Sequence, residues 1–425
     1  MPLDNLDSAH EKTMLIRNRK SSIYFVNKFF DYPITLSLET LLNLGFIKVI
    51  KILMSYAKTR LFPIKDETYL DAFFINRFGK ELYLTFFKSY TEKVWGVPCS
   101  QIKAEWGAQR IKGLSILTAI KHFLNSTFLK NNSLIQKNVE TSLIDRFMYP
   151  KNGPGQMWQE VSKLVQEKGG EVKLRQKIVG IQTEDFRIKS VTIKNLDTAE
   201  VYQEQADYFI SSMPISELVA SLDDDVPKDV QLIGKGLKYR AFIVIGLLVN
   251  QLAIKAKDNG LILDNWIYIQ DERVKLGRVQ VFNNWSPYLV EDPTKVWLGL
   301  EYFCNEGDEM WSMADAGLTD FAIDEMVKIG FIQIEDVLDS IVIREPKAYP
   351  AYFGTYDQLG VIRKYIDNFD NLFLIGRNGM HKYNNQDHSM LTAMTVVDNI
   401  TNGVLSKDNI WDVNTESEYH ESKRK

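Results

Sequence analysis

Apolar positions along this 425-residue chain change their spacing about a third of the way in. Up to about Leu143 they recur at three- and four-residue steps: Leu38, Leu41, Leu42, Phe46, Val49 and Ile50 mark one helical face. Tyr69, Phe73, Phe74 and Phe78 mark another within Lys65–Phe87, with Asp66 placed to cap it. Such stripes read as core. Ahead of them, residues 1–22 are polar and predict little order, and Ile23–Phe30 reads as an aromatic hairpin turning at Asn27-Lys28. After Gly153-Pro154-Gly155 an amphipathic helix, Met157–Lys168, is stopped by Gly169-Gly170.

From there the period shortens toward two. Strands are expected at Glu171–Ile181, Ile188–Asn195, Glu200–Tyr202 and Tyr208–Ser212, then a short helix at Pro214–Leu222. Further strands follow at Arg240–Val249, Trp266–Ile269, Arg278–Asn283 and Val296–Cys304, a helix at Ala314–Ile329, and a strand at Asp339–Tyr349. The chain past Asn402 is polar, and Asn414–Lys425 is expected to be disordered. Helical block, sheets and returning helix predict an α/β (α+β) body rather than a repeat array.

Composition narrows the function classes. A formal charge of −4 with dispersed lysines gives no nucleic-acid footprint. Two cysteines, Cys99 and Cys304, form no disulfide framework and suit a reducing cytoplasm. No apolar run reaches the length of a membrane span. Leu36–Phe62, broken by Glu39 and four basic residues, reads as a core-packed region, with a helix lying on a membrane as the alternative.

The densest chemistry lies between Gly376 and Met390. An apolar run, Asn371–Ile375, leads into a glycine-hinged loop carrying Arg377, Tyr383, Asp387, His381 and His388, and then into a helix-like run from Leu391. A strand, a polar loop and a helix in that order point backbone N–H groups and a helix dipole at an anionic ligand. His381 and His388 have no third histidine nearby in sequence, so a metal site is not expected. Cys99 follows Pro98 without a helix-start context, so no catalytic thiolate is expected there.

This loop resembles the C-terminal flavin-contacting motif of FAD-dependent oxidoreductases of the amine-oxidase and protoporphyrinogen-oxidase type. Its GR-x-G-x-x-x-Y-x-x-x-D frame is also similar to UDP-galactopyranose mutases. Phe87–Pro98, Trp106–Ser115, Tyr149–Gly155 and Ser211–Pro214 extend the resemblance over most of the chain. The family's G-x-G-x-x-G turn and the acidic residue about 20 positions later are not found in this sequence.

The resemblance implies an FAD-dependent oxidoreductase-like body with an incomplete Rossmann-type nucleotide domain, a mixed β-sheet substrate domain and a helical insertion. On that frame, 1–22 is a polar N-terminal segment and 23–36 a strand hairpin of the substrate domain. Residues 37–145 are the helical region, and 146–214 the remaining FAD domain. The mixed-sheet substrate domain takes 215–350, the C-terminal FAD-contacting segment 351–403, and the polar tail 404–425.

By the same resemblance, Gly376 and Arg377 would approach the pyrophosphate or ribityl side of FAD. Asp387, His388, Ser389 and Met390 would bring a helix start under the isoalloxazine, the Met390 amide donating, with Asp387 read otherwise as the helix N-cap. Ile178 would meet the adenine, and Ser211 would lie where the chain passes close to the dinucleotide. Arg110 and Tyr383 are the catalytic candidates, with Lys112, Trp95 and Trp106 as companions lining a sugar or anion pocket. Asn385 departs from the mutase motif, which has an aspartate there.

Two readings follow. One is an FAD-dependent oxidoreductase acting on a small, sugar-linked or cell-envelope substrate, with a mutase-like sugar rearrangement as its variant. The other is a non-enzymatic or incomplete chain, either N-terminally truncated or a subunit that pairs with a separate FAD-binding chain, and binding FAD weakly or not at all by itself.

Overall fold

The computed structural model describes residues 12–32, 34, 38–104, 107, 146–223, 226–254 and 262–413. Its strands are, in chain order, β1 (Met14–Asn18), β2 (Ser21–Phe25), β3 (Lys28–Asp31), β4 (Arg146–Pro150), β5 (Gln176–Glu184), β6 (Arg187–Asn195) and β7 (Val201–Glu204). They continue with β8 (Phe209–Ser211), β9 (Leu237–Val249), β10 (Trp266–Ile269), β11 (Arg278–Val281), β12 (Val296–Cys304), β13 (Val337–Gly354) and β14 (Leu372–Leu374). Helices and strands mix as the spacing predicted. The chain divides into two compact units, one built on Met1–Val161 and Arg240–Pro346, the other on Ser162–Tyr239 and Lys347–His420.

The first unit is organised by a seven-stranded sheet in the order β13-β9-β12-β11-β10-β2-β3. β2 pairs with β10 in parallel, while β3, β11, β12 and β9 continue antiparallel, so the sheet is mixed. Alternation puts Ile243, Ile245 and Leu247 of β9 beside Leu298, Leu300 and Tyr302 of β12 on one face. Leu318, Ala322 and Met326 of the helix Asp315–Lys328 close that face into a core of fully buried side chains.

Five expectations are corrected in this unit. Residues 1–22 are not uniformly without order: β1 pairs antiparallel with β4 from Met14↔Pro150 to Asn18↔Arg146. This strand holds because its ladder is supplied by a segment far away in sequence, and Arg17 adds a fork to the Asn284 carbonyl at 3.3 and 3.2 Å. The hairpin exists, but its turn is Val26-Asn27, both at positive φ (49° and 58°), as a two-residue primed turn requires.

Lys65–Phe87 is two helices, Leu70–Phe78 and Lys80–Phe86, parted at Gly79 with φ +78°. A Cβ there would meet the Tyr56 backbone at 2.8 Å, so close approach of the neighbouring helix demands glycine. Tyr69 is the N-cap of the first of these helices, and Asp66 instead accepts from Thr68 N in the turn before it. Finally, the helix Phe46–Leu61 does not bury its apolar stripe. Ile52 and Thr59 face inward, and Phe46, Ile47, Leu53 and Met54 are exposed.

In the second unit, β5-β6-β7 form an antiparallel meander, and β8 and β14 pair in parallel. Ile181 and Ile188 pack with Leu218, Val230, Ile233 and Ile362, drawing in two helices not anticipated from spacing, Lys228–Gly236 and Leu359–Ile366. Residues 404–413 are not a bare tail. Ile410 and Trp411 are buried, and Lys407 Nζ donates to the Phe369 carbonyl at 2.5 Å. The expectation for Asn414–Lys425 lies outside the described residues.

Candidate functional site

The chemistry-rich loop lies wholly in the second unit, at the carboxyl ends of two adjacent parallel strands. Phe209, Ile210 and Ser211 of β8 pair with Leu372, Phe373 and Leu374 of β14. Asn371, fully buried, locks this pair to the meander: its Oδ1 accepts from Ile188 N at 2.9 Å and its Nδ2 donates to Ile188 O at 3.0 Å. Beyond β14 the chain makes one helical turn, Gly376–Gly379, a polar loop, and the helix Gln386–Asn402.

Glycine is needed twice in that turn. Gly376 has φ +70°, and its N–H donates to Thr392 Oγ1 at 3.0 Å. At Gly379 a Cβ would stand 2.7 Å from the Ser211 carbonyl oxygen. Backbone therefore passes against backbone beside two buried polar atoms, Ser211 Oγ and Asn378 Oδ1, which have no partner among the described residues. Unpaired buried oxygens are costly in a finished core, which makes these two the candidates to receive a hydrogen-bonding group.

Arg377 holds the loop together. Its Nη2 donates to Asn384 O at 2.6 Å and its Nη1 to Ala348 O at 3.0 Å. The guanidinium lies 4.8 Å from the Tyr383 ring and 5.6 Å from Tyr349, and those two rings stack at 5.2 Å and 12°. Tyr383 N donates to Tyr352 Oη at 3.0 Å. Two of the anticipated residues, Arg377 and Tyr383, thus form one stack.

The N-cap of the last long helix is Asn385, and Asp387 sits in its first turn beside buried His388, whose Nδ1 is 3.0 Å from Asp387 Oδ1. The first in-helix bond runs from Ser389 N to Asn385 O at 3.2 Å. The N–H groups ahead of it belong to Gln386, Asp387 and His388, and Met390 lies further in with an exposed side chain. Ile178 is partly buried on β5, next to a register shift between Ile178 and Gly180 that loosens the ladder. Arg110, Lys112 and Trp106 lie outside the described residues, and Trp95 is buried in the first unit. Burial pushes the Cys99 thiol up to about 12, which suits an inert side chain.

Sequence reasoning considered His381 only as a metal ligand. It is fully buried at φ +48°, its Nε2 donating to Ala351 O at 3.1 Å, with the Tyr239 ring edge-on at 4.8 Å. Burial pushes its pKa down to about 4, so the ring is neutral at pH 7 and its Nδ1 has no partner among the described residues. Among those residues no group of three His, Cys, Asp or Glu is arranged to hold a metal.

No protein-family model matches the chain. Solved structures do. A reduced UDP-galactopyranose mutase superposes with a TM-score of 0.76 at 18% identity, over 94% of this chain and 82% of that one. The chain has the amine-oxidase-type flavoenzyme fold. A protoporphyrinogen-oxidase-like protein from Exiguobacterium gives 0.63 at 13% identity over 91% and 81%. A redesigned putrescine oxidase gives 0.52 at 10% over 95% and 83%. This amine-oxidase-type fold is the one the motifs around Gly376 implied.

Proposed function

We propose that this chain is the substrate-binding and flavin-contacting body of an FAD-dependent oxidoreductase that acts on a small, sugar-linked molecule. The observation that carries it is the close passage of Gly379 over Ser211 at the carboxyl ends of β8 and β14, beside the unpaired oxygens of Ser211 and Asn378. Dinucleotides bind at the carboxyl ends of parallel strands, where small residues let backbone approach them. FAD, when bound, would supply hydride acceptance from a carbon–nitrogen or carbon–carbon bond.

In this reading Ser211, Gly376 and Asn378 line the cofactor, and the first-turn amides of Gln386, Asp387 and His388 offer donors to its polar edge. Ser389 Oγ, which bonds Asn384 Oδ1 at 3.2 Å, fixes the loop against that turn, and Met390 sits on its outer side. Ile178 takes the adenine side, its backbone loosened by the bulge. Arg377 acts as a positioning residue, and Tyr383 is the group nearest to substrate. Two buried thiols suit a reducing, cytoplasmic setting.

A reduced-flavin sugar rearrangement is the second reading, favoured by the higher TM-score of the mutase likeness, 0.76 against 0.63 and 0.52. Asn385 counts against it.

Because this sequence carries no G-x-G-x-x-G turn, the hold on FAD by this chain alone is expected to be weak. The test is the visible spectrum of FAD with purified protein. We expect the flavin band to shift on mixing, to be lost on gel filtration, and not to shift with Gly379→Val. An FAD spectrum unchanged at millimolar protein and cofactor overturns the reading.

A further inference from the structure

The helix Phe46–Leu61 is inside out for a globular protein. At about 100° per residue, Phe46, Ile47, Ile50, Leu53, Met54 and Leu61 fall within about a third of its circumference. That apolar third faces solvent: Phe46 is 79% and Leu61 74% exposed, and exposed Phe62 follows directly. The opposite side is the packed one, where Ile52 is 4% exposed and Tyr56 meets Gly79.

The charges complete the pattern. The segment FIKVIKILMSYAKTRL contains no acidic residue. Lys48 is held on the packed side by Glu81 at 3.4 Å, whereas Lys51 and Lys58 on one rim of the stripe and Arg60 on the other are exposed. Sixteen residues make a helix about 24 Å long. Among the described residues no helix is long and apolar enough to cross a membrane, so this one would lie along a surface.

We propose that this helix is a membrane-surface anchor that lays its apolar stripe into an anionic lipid leaflet, with Lys51, Lys58 and Arg60 at the headgroups. An apolar face with a purely basic rim matches acyl chains edged by negative charge. A second protein copy would bring the same basic rim against itself, so charge disfavours a self-paired face. The inference does not rest on the flavin reading.

Vesicle co-sedimentation of the full chain tests it, with phosphatidylcholine alone and with about one-third phosphatidylglycerol, the basic rim setting the preference. We expect binding to the anionic vesicles, at least tenfold weaker binding to neutral ones, and weakening by added salt. Ile50→Glu with Met54→Glu should cut binding at least tenfold while leaving the circular dichroism spectrum unchanged, since both side chains are exposed. Lys51→Gln with Lys58→Gln should remove most of the salt dependence. Protein left in the supernatant with both vesicle types overturns the proposal. So does a double-glutamate variant that binds as the parent does, or a stable dimer that the glutamates dissociate and vesicles do not.

Discussion

A methyl group on Gly379 would lie 2.7 Å from the carbonyl oxygen of Ser211, so the turn after β14 rides directly on the end of β8. Gly379→Ala should force those backbones apart and destabilise the protein by roughly 1–3 kcal/mol, the usual scale of overpacking. Thermal melts give the loss directly. An unchanged Tm would mean the two segments are not held at this distance.

Arg377 binds two carbonyls and overlies two stacked tyrosines, which a lysine cannot reproduce with a single ammonium. Arg377→Lys is expected to leave the global fold intact but loosen residues 380–385, seen as faster amide exchange there. Exchange as slow as in the parent would remove the positioning role.

His381 gives a signed pH dependence. Its folded pKa of about 4 is below its ordinary value of 6.5, so the unfolded chain takes up a proton first as pH falls. The full contribution is present above pH 6.5 and is lost as pH drops through 6.5 toward 4, by roughly 3 kcal/mol. Urea unfolding across that window should show the decline, and His381→Asn should flatten it while lowering stability at pH 7.

Asn371 makes two buried hydrogen bonds to one residue of another strand, so its loss strands both groups of Ile188. Asn371→Leu should cost about 2–4 kcal/mol, whereas an exposed Asn402→Leu should cost little. Chemical denaturation of the two variants side by side makes the comparison.

Much was legible from local signals. Trp266–Ile269 and Val296–Cys304 were delimited to the residue, because apolar, aromatic and β-branched side chains dominate both segments and polar residues flank them. The glycine-hinged loop after β14 was legible too, since Gly376 and Gly379 stand where glycine is needed. β1 was not, because its ladder comes from β4, more than a hundred residues away, and the local sequence carries no trace of that pairing. Nor was the capping of the Gln386 helix, whose start four residues before Met390 depends on how the Arg377 fork folds the loop.

By itself the sequence determined the alternation of helical and strand periods, the family likeness of the loop around Gly376, and the amphipathic character of Phe46–Leu61. Only the tertiary structure decided which side of each element meets the core. Periodicity states that a helix has an apolar face but not what covers it. In Phe46–Leu61 packing at Ile52 and Thr59 turned that face outward, and at His381 it turned a solvent-class side chain inward.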